Sequence, residues 1–264
     1  IMKNFIGIDL GTTNSSISSF DGDKVKIWKS PEQNDITPSV IFMNKRTKYY
    51  GQRAYDNEPF NSENTAKLFK RFMGTSTKIE FPGLGLSKTP EECSSEILSV
   101  LYGYLPEEMR NSDDTFSVIT VPAAFNQIQK TATLKAASMA GIGKVALMQE
   151  PIAAVMSVMR SDNSDGIFLI FDLGGGTLDI AIAESIDGSV SLLSHGGIAM
   201  CGGRDFDRLL VKEVIKPWLE ENFLLPKDFS NMKDYATLIK LCNWAAEKAK
   251  IELSSKHNSL ITLS

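Results

Sequence analysis

Two short apolar runs in this chain end in the same tripeptide. Phe5 to Thr13 reads FIGIDLGTT, and Phe168 to Asp179 reads FLIFDLGGGTLD. Each run predicts a strand that closes on Asp-Leu-Gly. A Gly/Thr turn follows, then a second alternating stretch, Ser15 to Phe20 or Leu178 to Ala183. Strand, glycine turn and strand make a β-hairpin. The repeat predicts two similar lobes that face each other, each lending one loop to a shared cleft. Between the copies, helical periodicity predicts helices over Ser62 to Met73, stopped by Gly74, and Asn126 to Ala140, stopped by Gly141. A third, Pro151 to Met159, opens with a proline whose missing N–H costs nothing there. Val118 to Val121 predicts a strand before Pro122, and SDNSDG at Ser161 to Gly166 a polar turn that best divides the lobes. Further helices are expected over Phe206 to Asn222 and Tyr235 to Ser254. The final LITLS reads as a strand without its partner, as if the chain stops inside a domain.

Composition narrows the function classes. The 264 residues are 42% hydrophobic and 23% charged, the balance of a folded soluble protein of about two domains or two lobes. The net charge of -4 argues against a nucleic-acid partner, which calls for a basic stripe. No apolar run approaches the ~18 residues of a membrane span, and Asp9 interrupts the only candidate leader. Ile1, ahead of Met2, reads as a cloning remnant. Cys93, Cys201 and Cys242 are odd in number and share no metal spacing, which predicts reduced thiols in a cytoplasmic protein. With only His195 and His257, a histidine zinc site or a Ser-His-Asp triad has almost no material. Met139, Met148, Met156 and Met159 are expected as core filler.

The paired hairpins suggest phosphate chemistry. A glycine turn lets backbone N–H groups approach phosphate oxygens, and Thr12, Thr13 and Thr177 add hydroxyl donors. Asp9 and Asp172 would repel a triphosphate unless a hydrated cation lay between, and Mg²⁺ suits that role. The alternative is two unrelated tight turns that use Asp and Gly for backbone reasons. Three glycine segments are decoys. GLGLSK at Gly83 to Lys88 lacks the Walker spacing and is expected in a loop between Pro82 and Pro90. GIGK at Gly141 to Lys144 ends a helix. GGGT at Gly174 to Thr177 leads into a strand, not the helix a dinucleotide fingerprint needs.

Six segments then resemble one family in order: FIGIDLGTTNS, KRFMG at Lys70 to Gly74, ITVPAAFN at Ile119 to Asn126, QEP at Gln149 to Pro151, FDLGGGTLDIA, and GGRDFD at Gly202 to Asp207. They resemble the ATPase domain of DnaK-type chaperones, the heat shock protein 70 family. The resemblance implies an α/β chain with the two-lobed actin-like ATPase fold, duplicated ribonuclease H-like sheets and a truncated second lobe. Lobe I would span 1–160, with 37–95 as its peripheral subdomain. The first part of lobe II would span 161–264, with 201–264 peripheral.

Roles follow by resemblance. Gly11, Thr12, Thr13 and Asn14 match the first phosphate loop, and Gly174, Gly175, Gly176 and Thr177 the second. Asp9 and Asp172 match carboxylates that hold Mg²⁺ through water, and Asp179 one near the cation sites, where K⁺ is a second candidate. Lys70 matches the lysine that orients the attacking water, and Glu150 the carboxylate beside it; Asp172 and Thr177 complete the catalytic set. On pattern alone, Lys70 in a last helical turn and Glu150 in a first turn are equally favoured by the helix dipole. Gly202 and Gly203 match a turn near the ribose, and Glu247, Lys250 and Ser254 the adenosine helix; a solvated face is the rival reading. Ile251 stands where most members have an arginine that stacks on adenine; the HscA-type branch tolerates an isoleucine there, so the chain looks like a divergent bacterial paralogue. The implied activity is hydrolysis of ATP to ADP and phosphate in protein folding and the stress response. The implied partners are a J-domain co-chaperone, a nucleotide-exchange factor, and a client held by a C-terminal domain beyond this chain. An actin-like filament protein of the MreB type is the alternative, disfavoured by KRFMG and VPAAFN.

Overall fold

The structure is a computed structural model that describes residues 3–159, 165–199 and 201–263. The expected lobe boundary at Ser161 to Gly166 and the reading of Ile1 fall largely outside these residues. Contacts group the chain into two compact units. The first is Ile1–Asp172 with Asp179–Gly196; the second is Leu173–Leu178 with Gly197–Ser264.

The first unit is organised by a sheet of β1 (Asn4–Asp9), β2 (Asn14–Phe20), β3 (Val25–Ile27) and the short β4 (Thr37–Pro38). Its insertion holds β5 (Val40–Met43), β6 (Lys48–Tyr50), α1 (Gly51–Asn57), β7 (Thr65–Lys67), β8 (Ile79–Phe81) and β9 (Leu86–Lys88). Then come α2 (Pro90–Tyr102), α3 (Glu107–Arg110), β10 (Thr115–Val121), α4 (Gln127–Met139), β11 (Val145–Gln149) and α5 (Glu150–Met159). The strand order is β11-β10-β1-β2-β3, with β4 beside β2. β1 runs antiparallel to β2 but parallel to β10, and β10 runs parallel to β11. Register pairs Asp9 with Thr120 and Val121 with Gln149, so three parallel strands deliver their carboxyl ends to one edge. Such edges are where open α/β sheets bind ligands.

Alternation decides which face is core. Ile6, Ile8, Ile17 and Ile119 are buried with Phe69, Met73, Ile97, Leu98 and Ala136, so α2 and α4 cover that face. Both helices start on reciprocal caps. Thr89 accepts the Glu92 N–H while Glu92 accepts the Thr89 N–H, and Asn126 and Gln129 do the same. The chain leaves α4 through Gly141 at φ +75°, a left-handed conformation that favours glycine.

The expected helix over Ser62 to Met73 does not form. Ser62–Asn64 is a 3₁₀ turn, Thr65–Lys67 pairs with β5, Leu68 sits at φ 61°, and Phe69–Phe72 is another 3₁₀ turn. Ala66, Phe69 and Met73 are buried at helical spacing, yet a strand and a turn supply them. GLGLSK is not a plain loop either, because Leu86–Lys88 pairs with β8. Of the four methionines, Met159 is buried, but Met139 and Met156 are exposed.

After Asp165 come β12 (Gly166–Leu173), β13 (Thr177–Ile186) and β14 (Ser189–Ala199), neighbours in that order. Val155 and Met159 of α5 pack with Phe168, Ile170 and Ala183. The second unit carries α6 (Gly203–Leu210), α7 (Lys216–Asn222) and α8 (Ala236–Leu253) around Val211, Ile215, Leu219, Phe229, Cys242 and Ala246. The helix expected from Phe206 starts earlier and passes through a π-helical segment, Val211–Ile215. Pro217 has no N–H for the Glu213 carbonyl, and the Lys216 N–H reaches back to Val211 instead. LITLS forms no strand among the described residues. Ile261 and Leu263 pack against the Phe229 core without a ladder to join.

Ile97 is fully buried beneath the central sheet. Ile97→Ala should lower stability by about 2–5 kcal/mol, read as a reduced urea midpoint. An unchanged midpoint would remove α2 from the core.

Candidate functional site

In the first unit, the carboxyl edge of the parallel strands gathers charge. Asp9 ends β1 and accepts a 2.9 Å hydrogen bond from the Thr120 hydroxyl on β10. Glu150 opens α5 directly after β11, and its Oε1 accepts a 2.8 Å bond from Lys70 Nζ. Lys70 is 5% exposed and lies in the Phe69–Phe72 3₁₀ turn, not in the last turn of an α-helix. Its ammonium also lies 5.8 Å from the Phe125 ring centroid. Asp172 near the end of β12 and Asp179 on β13 join Glu150 and His195 in lining an open pocket.

The electrostatics are strained by design of the edge. Burial pushes the Glu150 carboxyl above the ordinary glutamate range, Asp9 and Asp172 push it further, and Lys70 only partly offsets them. Asp172 is raised by desolvation, then by Asp179 and Asp9, and Lys70 again opposes. These two carboxylates, raised by burial and like charge, would gain from a cation beside them.

The turn after Asp9 is tightly held. The Gly11 N–H donates to Ser15 Oγ at 3.1 Å, Ser39 Oγ donates to the Gly11 carbonyl at 2.8 Å, and the Ser39 N–H donates to the Thr13 carbonyl. A Cβ on Gly11 would lie 1.9 Å from the Asn14 carbonyl oxygen, so glycine is required. Thr12 and Thr13 are half-buried and Asn14 is exposed at the start of β2. The Thr13 hydroxyl is buried with no hydrogen-bond partner in the structure, a polar atom waiting for a ligand oxygen.

The second unit holds the other glycine turn by itself. The Gly174 N–H donates to the Thr177 carbonyl at 2.9 Å, closing the turn around Gly175 and Gly176. Gly202 and Gly203 dock on it. The Gly203 N–H donates to the Gly174 carbonyl at 3.1 Å, and the Arg204 N–H to the Gly175 carbonyl at 2.9 Å. A Cβ on Gly202 would sit 2.4 Å from the Gly176 nitrogen. Lys250 on α8 braces the same turn, with Nζ 2.9 Å from the Gly203 carbonyl and 2.6 Å from Asp207 Oδ1. Burial raises the Asp207 carboxyl, and Lys250 counters it. Glu247 is half-buried on α8, while Ser254, its C-cap, and Ile251 are exposed.

A resident cation fits the first unit's donor set. Asp9, Asp172 and Asp179 offer hard oxygens, as Mg²⁺ prefers. Among the described residues, no three or more His, Cys, Asp or Glu converge as a direct-ligand cage. The sequence pattern does not single out Thr120 or His195. Thr120 is visible only through the parallel register, and His195 only as a polar break in LLSHGG.

The profile of the family described as Hsp70 protein matches residues 5–264. The chain belongs to the Hsp70 family. It is 35% identical over 285 residues to the chaperone protein dnaK of Thalassiosira pseudonana, covering 99% of this chain and 46% of that protein. It is 36% identical over 289 residues to the chaperone protein dnaK of Gracilaria tenuistipitata var. liui, covering 99% of this chain and 45% of that protein. The chain thus spans about half the length of these relatives. The Hsp70 fold is the actin-like ATPase fold, and the mixture of helices and sheets agrees with the expected α/β class. Membership favours the chaperone over the filament alternative. No helix among the described residues is long and apolar enough to cross a membrane.

Two tests follow from this geometry. Gly202→Ala should destabilise the second unit by about 1–3 kcal/mol through overpacking. Gly143→Ala, where a Cβ meets nothing within 4 Å, should stay within about 0.5 kcal/mol in the same urea titration. Equal effects would show that the Gly202 approach is not tight. For Asp172, a raised folded pKa means the folded chain holds the proton more tightly than the unfolded one. Stability is then lost as pH rises from the ordinary aspartate value of 3.8 through the folded pKa. Without divalent cations, Asp172→Asn should therefore melt higher than the unmodified chain at pH 7. The pH-dependent part of the difference should be gone below about pH 2.5, where both states are protonated. A lower melting temperature at pH 7 would refute the crowding.

Proposed function

We propose that this chain is the nucleotide-binding part of a molecular chaperone that hydrolyses ATP to ADP and phosphate in cycles of client binding and release. The buried Lys70–Glu150 pair on an edge of carboxylates carries the reading. Phosphoryl transfer asks the protein to position water and neutralise charge, with little covalent chemistry. In this reading Lys70 faces the γ-phosphate, and Glu150 accepts a hydrogen bond from the water that attacks it. A new P–O bond forms as the bridging bond to ADP breaks. Glu150, already drawn toward its protonated form by burial, is suited to take and return the water's proton.

Mg²⁺, held through water by Asp9, Asp172 and Asp179, would neutralise the phosphate oxygens. Gly11 to Asn14 would offer backbone N–H groups to one phosphate segment, with the Thr13 hydroxyl finding its missing partner. Gly174 to Thr177 would serve the other. Gly202, Gly203, Glu247, Lys250 and Ser254 form the proposed adenosine side, where Ile251 leaves the base without a guanidinium plane. Lys250 would act largely by fixing the Gly202–Gly203 turn, since its ammonium is engaged there. The division into lobe I at 1–160 and the first part of lobe II at 161–264 belongs to the same reading, as do co-chaperone and client partners. A cytoplasmic setting is supported by free Cys93, Cys201 and Cys242.

Lys70→Ala tests the assignment. An interaction made mainly in the transition state lowers kcat when removed. Single-turnover hydrolysis should fall about 10²–10³-fold, with the ATP dissociation constant by calorimetry changed only a few-fold. A large loss of affinity with a normal rate would reverse the role.

A further inference from the structure

The turn that carries Lys70 is only four residues long, yet its ammonium must sit within hydrogen-bond reach of Glu150. Its upstream end is set by Leu68 in the left-handed region, and its downstream end by Gly74 at φ +74°. The Met73 N–H donates to the Lys70 carbonyl, so a shift at Gly74 is passed directly to Lys70. What fixes Gly74 is α2. Glu91 Oε1 accepts the Gly74 N–H at 3.0 Å, and one helical turn on, Ser94 Oγ donates to Met73 Sδ at 3.3 Å.

Glu91 is an odd residue for structure alone. It occupies the first turn of α2, where a carboxylate is usually solvated, and its neighbour Glu92 already serves the capping box. Yet Glu91 is 7% exposed, and a buried glutamate is rare unless it is paired. Its Oε1 accepts a backbone amide of the lysine-bearing segment. We infer that Glu91 is a positioning residue that acts through Lys70. It holds the 3₁₀ turn against α2 so that the ammonium meets Glu150. The inference rests on the proposed role of Lys70 for its catalytic consequence, but not for its geometry.

The first measurement therefore needs no nucleotide. The 264-residue chain is labelled with acetic anhydride under native conditions, and each lysine is followed by mass spectrometry. Lys70 is protected by burial. Glu91→Ala should raise the Lys70 labelling rate about tenfold, the factor that matches about 1.4 kcal/mol from a lost buried hydrogen bond. Glu91→Gln keeps an acceptor oxygen for the Gly74 N–H and should restore protection. Cys93, fully buried two residues along α2, reports unfolding of the helix itself. Burial pushes its thiol up to about 12, and it should stay protected from a thiol reagent in both variants. Unchanged Lys70 labelling in Glu91→Ala overturns the inference. So does a rise matched by Cys93, which would make Glu91 a general support of α2, and so does failure of Glu91→Gln to rescue.

The catalytic arm uses a double-mutant cycle. If Glu91 works through Lys70, the Lys70→Ala and Glu91→Ala double variant should hydrolyse ATP no more slowly than Lys70→Ala alone. Additive losses would overturn the coupling. A normal rate for Lys70→Ala would instead sink the role proposed for Lys70 and leave the labelling result to stand on its own.

Discussion

A lysine taken out of water either loses its proton or keeps an anion beside it, and the pairing of Lys70 with Glu150 answers to that constraint. The ammonium belongs to the insertion between the first hairpin and α2, while its partner Glu150 belongs to the junction of β11 and α5. One ion pair thus couples a peripheral turn to the central sheet. The pair is not neutral in effect. Glu150 is crowded by Asp9 and Asp172, and Lys70 lowers the charge cost of Glu150 and Asp172 alike. Remove the lysine and four carboxylates remain at neighbouring strand ends and turns, with nothing to justify their convergence. A protein selected for stability alone would disperse them. In the proposed reading, a cation and a polyphosphate complement them.

The second unit meets a different constraint, that of close backbone approach. Gly174 to Gly176 and Gly202 to Gly203 lie near enough that a single Cβ would collide. Two backbone hydrogen bonds hold them, and Lys250 bridges from α8 to lock the arrangement through the Gly203 carbonyl and Asp207. Here glycine supplies contact rather than freedom. Turns held this firmly present their remaining N–H groups in fixed directions, which is what anion recognition needs.

Much of this was legible in the residues because the signals were local. Both Asp-Leu-Gly hairpins, the Asn126 helix, the Glu150 helix start and the Gly141 stop follow from turn chemistry and capping, and all are found. The segment around Lys70 misled because Ala66, Phe69 and Met73 have helical spacing, while β7 pairing and the left-handed Leu68 are long-range matters. The insertion strands β5 to β9 were invisible for the same reason. They are short, and each is held by a neighbour that no local pattern names. Thr120 and Glu91 escaped notice because their significance lies in a register and in one amide bond across 17 residues.

The two hairpins show how far a local code reaches. Ile6 and Ile8 in the first copy are buried beneath α2 and α4, whereas their counterparts Leu169 and Phe171 are largely exposed. The turn forms in both copies. It depends on close backbone approach at glycine and on bonds within the loop, such as Gly174 to Thr177 and Gly11 to Ser15. A loop that closes on its own hydrogen bonds keeps its shape whatever packs on the strands beneath it, and the repeated Asp-Leu-Gly turn is such a loop in both copies.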